Sequence, residues 1–181
     1  MGQTFSRIWK RIFIPQEITV TIVGLDGSGK TTISHFLKNG KAISTEPSFS
    51  FNFLDLEYNN IHFKIWETSG QNNLRSLWKE YIKISNVMVF VLDSRNVERI
   101  IEAKNELNKL LLEELLKDVP LLIFSNKQDL PDSLTKIDVL KMLGLEEITG
   151  RLWHFQPCSG INGQGLKEGL DWITSIVIKK P

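Results

Sequence analysis

The sequence predicts an α/β protein, a mostly parallel six-stranded sheet with helices on both faces, preceded by an amphipathic N-terminal helix. Strand-like and helix-like segments alternate along the chain, as parallel strands with helical crossovers require. Residues 87–93 (VMVFVLD) and 120–126 (PLLIFSN) are continuous apolar runs, the pattern of central strands covered on both faces. Two further strands are separated only by Asn59-Asn60, a dipeptide that tolerates positive φ and so places one antiparallel strand at an edge.

Residues 18–25 are β-branched and run into glycine-rich sequence, which opens a helix over 30–38. The hairpin strands are 51–58 and 61–67. A helix rich in Leu, Glu and Lys is predicted over 97–117, between the two apolar strands. Helices over 135–143 and 166–178 flank a last strand at 152–156. No Gly-, Ser- or Pro-rich linker or repeat divides the chain, so residues 16–181 form one domain behind a separate segment, 1–15. In that segment Phe5, Ile8, Trp9, Ile12 and Phe13 follow helical spacing, opposite Arg7, Lys10 and Arg11, and Pro15 ends the pattern. Met1-Gly2-Gln3-Thr4-Phe5-Ser6 fits the N-myristoylation pattern, with Gly2 as acceptor. One acyl chain binds a bilayer only marginally, so the helix would supply the second anchor.

Hydrophobic residues make up 41% of the 181 and charged residues 24%, enough for a sizeable core. Lys plus Arg number 22 against 21 acids, so bulk-charge binding of nucleic acid is excluded. The single cysteine, Cys158, precludes an internal disulfide. No apolar run approaches the roughly 20 residues of a membrane span. The expectation is a cytoplasmic monomer that associates peripherally with a membrane.

Gly24-Leu25-Asp26-Gly27-Ser28-Gly29-Lys30-Thr31 matches G-x-x-x-x-G-K-[ST] between a strand and a helix. Its glycines let backbone N–H groups wrap around phosphates, and the helix N-terminus adds a favourable field. Asp26, Gly27, Ser28, Gly29 and Thr32 belong to that cradle. Lys30 would reach the β- and γ-phosphates, and the Thr31 hydroxyl would be a Mg²⁺ ligand. This motif by itself leaves kinase, ATPase and GTPase open. Asn126-Lys127-Gln128-Asp129 lies at the carboxyl end of a central strand, the edge on which such sheets bind ligands. A carboxylate there accepts both hydrogens of guanine's N1–H and 2-amino edge, and adenine would leave it unpaired.

With these motifs the sequence resembles the Arf/Arl family of small GTPases. The resemblance runs through GLDGSGKTT at 24–32, IWETSGQ at 65–71, NKQDLP at 126–131 and GLKEGLDWI at 165–173. It implies a P-loop GTPase fold that binds GTP or GDP with Mg²⁺ and acts as a nucleotide-dependent switch at Golgi or other endomembranes, in vesicle or organelle traffic. It implies that Ser159-Gly160 caps the base with a backbone N–H, where the family's usual Cys-Ala-Thr reads Ser159-Gly160-Ile161. Ser48 would replace a threonine as a Mg²⁺ ligand at the end of switch I, and Ser50 stands where the family has glycine. Gly70 would give its N–H to the γ-phosphate, and Gln71 would orient the attacking water. Glu67 replaces the aspartate that holds the Mg²⁺ shell, and its extra methylene must be absorbed. Ser69 is a second departure. Together they motivate an alternative, a GTP-binding adaptor with little hydrolysis. A nucleotide kinase is disfavoured by the guanine motif.

No arginine lies between residues 33 and 51, so switch I supplies no arginine finger, and hydrolysis would be slow without a GAP in trans. Arg75 reads as a solvated residue on the switch II helix. Phe51, Trp66 and Tyr81 match the aromatic triad that presents the interswitch to effectors; exchange factors and GAPs are the other implied partners. His35, His62 and His154 are scattered without metal-ligand spacing. Cys158 reads as a small packing residue, and Glu113-Glu114 as the solvated face of a helix.

Overall fold

The computed structural model describes residues 16–42 and 51–178. Gly2, the N-terminal helix, Ser48 and Ser50 lie outside the described residues. The sheet has six strands in the order β2-β3-β1-β4-β5-β6. They are β1 (Gln16–Val23), β2 (Asn52–Tyr58), β3 (Ile61–Glu67), β4 (Val87–Asp93), β5 (Leu121–Asn126) and β6 (Trp153–Pro157). Among the described residues only the β2–β3 pairing is antiparallel, as the short connection requires. Asn59 and Asn60 both have positive φ, 51° and 61°, which matches the twist of a two-residue hairpin turn.

The helices are α1 (Lys30–Asn39), α2 (Trp78–Lys83), α3 (Val97–Leu111), α4 (Lys136–Leu143) and α5 (Leu166–Ile178). Along β4, Met88, Phe90 and Leu92 face a core shared with α2, α3 and α4, and Val87, Val89 and Val91 face the core of α1 and α5. Both cores are needed to bury so continuous an apolar strand.

The helix expected over 97–117 stops at Leu111, and residues Glu114–Leu116 form a separate 3₁₀ turn. Leu116 is fully buried in the α3 core, and reaching that position requires the chain to leave the helix. Glu113 and Glu114 therefore do not share a helix face. Glu113 pairs with Lys79 at 3.5 Å, and Glu114 pairs with Lys117. Among the described residues no helix is long and apolar enough to cross a membrane.

Candidate functional site

The carboxyl ends of β1, β3, β4 and β5 bring the sequence motifs together along one edge. After β1 the chain turns through Gly24, Gly27 and Gly29, all at positive φ. Gly29 caps α1 without any side-chain cap, so the first-turn N–H groups of this helix stay available for an anion. A Cβ on Gly29 would lie 2.2 Å from Asn126 Nδ2, and only glycine admits that approach. Asn126 donates from Nδ2 to Ser28 O (2.9 Å) and accepts from Gly160 N at Oδ1 (2.9 Å). One buried amide thus ties the phosphate loop, the guanine motif and the capping loop together.

Ser159 and Gly160, the loop expected to cap the base with a backbone N–H, lie beside the guanine motif. The Gly160 N–H donates to Asn126 Oδ1 and so fixes this loop against the guanine motif. Gly160 packs on α1 beside Thr32, whose Cβ is 3.4 Å from where a Gly160 Cβ would stand. Ser159 donates its hydroxyl to Asp129 Oδ1 at 2.5 Å and fixes the carboxylate that the guanine motif assigns to the base edge. Lys127, at φ 71°, turns the chain out of β5, and its Nζ donates to Asp93 Oδ2 at 2.6 Å. Cys158 is buried beside this loop, and desolvation pushes its thiol far above the ordinary range, so it is an inert packing group.

On the phosphate side Lys30 is 5% exposed and donates to Gly24 O and Leu25 O, both at 2.9 Å. Burial lowers its pKa to about 8, against an opposing effect of Glu67. The Thr31 hydroxyl donates directly to Glu67 Oε1. Glu67 is 2% exposed at the end of β3, so its longer arm spans the gap to the loop within the protein. Among the described residues no three His, Cys, Asp or Glu side chains cluster to hold a metal unaided. One hydroxyl and one carboxylate at the loop mouth nevertheless suit Mg²⁺, which takes few protein ligands and completes its shell with phosphates and water.

Gly70 lies against the phosphate loop, where an added Cβ would stand 2.2 Å from Asp26 N and 2.4 Å from Leu25 C. Gln71 follows as the cap of a 3₁₀ helix, Asn72–Leu77. Arg75, expected in solvent, is 8% exposed. It donates to Gly70 O (2.8 Å) and pairs with Glu102 (2.8 Å), Glu106 (3.5 Å) and Asp26 (3.4 Å). Two of these acids, Glu102 and Glu106, lie on α3, and their Glu102-x-x-x-Glu106 spacing is the available signal.

Phe51, Trp66 and Tyr81 do meet, with Phe51 stacked on Tyr81 at 4.7 Å and Trp66 5.6 Å from Tyr81. Phe53 is a fourth member that sequence reasoning missed. It sits opposite Trp66 in the β2–β3 register, 4.6 Å between ring centres, and is 46% exposed. Its i, i+2 relation to Phe51 on a strand carried that information.

A strand, a glycine-rich turn and an uncapped helix, with a buried lysine beneath, define a phosphate-binding domain with the P-loop GTPase fold. A model of the ADP-ribosylation factor (Arf) family matches residues 5–177, and the chain belongs to that family. Among solved structures it is similar to the Arl6 (BBS3) small GTPase of Trypanosoma brucei, determined with the bound nucleotide analogue GppNp. The two are 26% identical with a TM-score of 0.85, over 92% of this chain and 100% of that one. Membership makes the chain a nucleotide-binding switch of a family that hydrolyses GTP and works through regulators and effectors.

Proposed function

We propose that this protein cycles between GTP and GDP with Mg²⁺ and acts as a slow, GAP-dependent switch at an intracellular membrane, in vesicle or organelle traffic. The observation that carries the reading is the Asn126 amide, which joins the phosphate loop to the guanine motif as one pocket. In this reading Asp26, Gly27, Ser28, Gly29, Lys30, Thr31, Thr32 and Gly70 surround the phosphates. Asn126, Lys127, Asp129, Ser159 and Gly160 form the base side. Thr31, Glu67 and Ser48 hold Mg²⁺, which neutralises phosphate charge when bound. Gln71 orients the attacking water. Phe51, Trp66 and Tyr81, with Phe53 beside them, present an aromatic face to effectors. Gly2 carries a myristoyl group, and the amphipathic segment supplies the second anchor.

The alternative, a GTP-binding adaptor with little hydrolysis, is motivated by Glu67, Ser69 and Ser50, the departures from the family pattern around the metal and the terminal phosphate. Single-turnover hydrolysis separates the two. Phosphate release by the wild type that Gln71→Leu slows by about 10²-fold or more supports the GTPase; equal release from both supports the adaptor. In the same preparations, myristoylated protein loaded with GppNp should float with anionic liposomes better than the GDP form. Equal flotation would remove the membrane switch.

A further inference from the structure

Asp26 is an acid inside a loop built to hold polyphosphate. The structure turns its carboxylate away from the loop into an ionic ring. Arg99 on α3 donates from Nη1 to Asp26 O (2.9 Å) and Oδ2 (3.2 Å), and from Nη2 to Oδ1 (2.9 Å). Its Nε donates to Glu102 Oε2 at 2.8 Å. Glu102 also holds Arg75 at 2.8 Å, and Arg75 Nε donates to Gly70 O at 2.8 Å. The ring closes where Gly70 rests on the backbone of residues 24–26. Three stretches distant in sequence thereby become one mechanical unit.

Apolar packing braces the loop on this side only at Leu25, which is buried in the core of Ile100 and Ala103. A cavity of about 240 Å³, lined by Leu25, Asp26, Ser28, Ile100 and Ala103 among others, separates the phosphate loop from α3. The guanidinium fork of Arg99 bridges that gap. Its hydrogen bonds are the main cause holding the Asp26 and Glu102 carboxyls below their usual range. Arg75, with 7% of its side chain exposed, depends on the same carboxylates, because a buried cation left without partners is strongly destabilising.

We propose that Arg99 is a positioning residue that, through Asp26 on one side and Glu102–Arg75 on the other, sets the spacing between the phosphate loop and the segment carrying Gly70 and Gln71. Asp26 is then a post for this clamp, and its contribution to the phosphates is its backbone. The inference rests on guanine nucleotides occupying the site as proposed above. GTP has a terminal phosphate to place beside the contact of Gly70 with the loop, whereas GDP has none, so loosening the clamp weakens the triphosphate selectively.

The test measures GDP and GppNp affinities of the full chain, wild type against Arg99→Ala, Arg99→Lys and Glu102→Gln. Glu102→Gln keeps the side-chain shape at a partly exposed position and leaves Arg75 its pairs with Glu106 and Asp26, which protects the experiment from loss of folding. Arg99→Ala and Glu102→Gln should each lower the GppNp-to-GDP affinity ratio by about tenfold, and the double variant should be no worse than the worse single. Arg99→Lys keeps the charge without the fork and should stay low. Trp78 reports on the segment, since its indole N–H donates to Ser69 O at 2.8 Å. Its emission, assigned by subtraction of Trp78→Phe, should shift to the red in the first two variants. Equal weakening of both nucleotides, an additive double variant, or full rescue by Arg99→Lys would overturn the clamp. If the wild type binds neither nucleotide, the guanine-nucleotide reading fails first and takes this inference with it.

Discussion

The base side and the phosphate side of the pocket are built in different ways. Asn126, Lys127 and Asp129 follow directly from β5, and Ser159 and Gly160 from β6, two paired strands whose Phe124 and Phe155 are buried. Their contacts are short and local to these strand ends: Ser159 to Asp129, Gly160 to Asn126, and Gln128 N to Cys158 O at 3.1 Å. Gly70 and Gln71 leave the sheet after β3 and enter a 3₁₀ helix, Asn72–Leu77, without strand pairing. Arg75 and Trp78 hold this segment through side chains, on Gly70 O and Ser69 O. Fixed strand ends suit constant recognition of a base. A segment held by side chains can rearrange without breaking strand pairing, which sensing of a terminal phosphate requires.

Breaking the rigid side should produce the largest effect. Asp129→Asn places a donor where guanine's 2-amino group needs an acceptor, and the neighbouring scaffold cannot adjust. Affinity for GDP should fall on the order of 10⁴-fold, with preference moving toward xanthine nucleotides, as titration with fluorescent analogues would measure. Unchanged GDP affinity would remove the base assignment.

A smaller effect should appear on the phosphate side through Lys30. Its pKa, lowered by burial to about 8, should rise again when a polyphosphate binds and favours the charged amine. Above pH 8 binding must therefore take up a proton, and GDP affinity should drop by about fivefold between pH 8 and pH 9. The nucleotide-free protein should gain stability over the same range, because the unfolded chain still holds the proton that the folded chain has lost. A flat affinity profile across this range would show that Lys30 stays charged when the site is free.

The smallest change sharpens the comparison at Glu67, where the sheet meets the switching segment. Glu67→Asp withdraws the carboxylate from the Thr31 hydroxyl. The Mg²⁺ concentration needed to retain GTP should then fall by about threefold, read from nucleotide release against Mg²⁺, with a matching rise in single-turnover hydrolysis. An unchanged or higher requirement would mean that the surrounding backbone has already accommodated the extra methylene.

Much of this architecture is legible in the sequence because it rests on near neighbours in the chain. Strand alternation, the Asn59-Asn60 turn and the glycine-rich loop each depend on local backbone preferences and side-chain periodicity, so sequence alone determined the sheet, its edge hairpin and the two nucleotide motifs. Even the guanine motif's place was readable, since a polar tetrapeptide after a buried strand must emerge at the sheet's carboxyl edge. The tertiary structure decided what the charges do. Arg75 looked solvated because the acids that bury it, Glu102 and Glu106, lie on another helix. Asp26 looked like a phosphate-loop residue and nothing more until α3 brought Arg99 to its carboxylate. The helix end at Leu111 was misplaced for a related reason, since the buried slot for Leu116 exists only once the sheet and α3 are packed. Backbone preferences act between adjacent residues, whereas ion pairs and core vacancies are created by packing, and so the ionic ring behind the phosphate loop belongs to the fold.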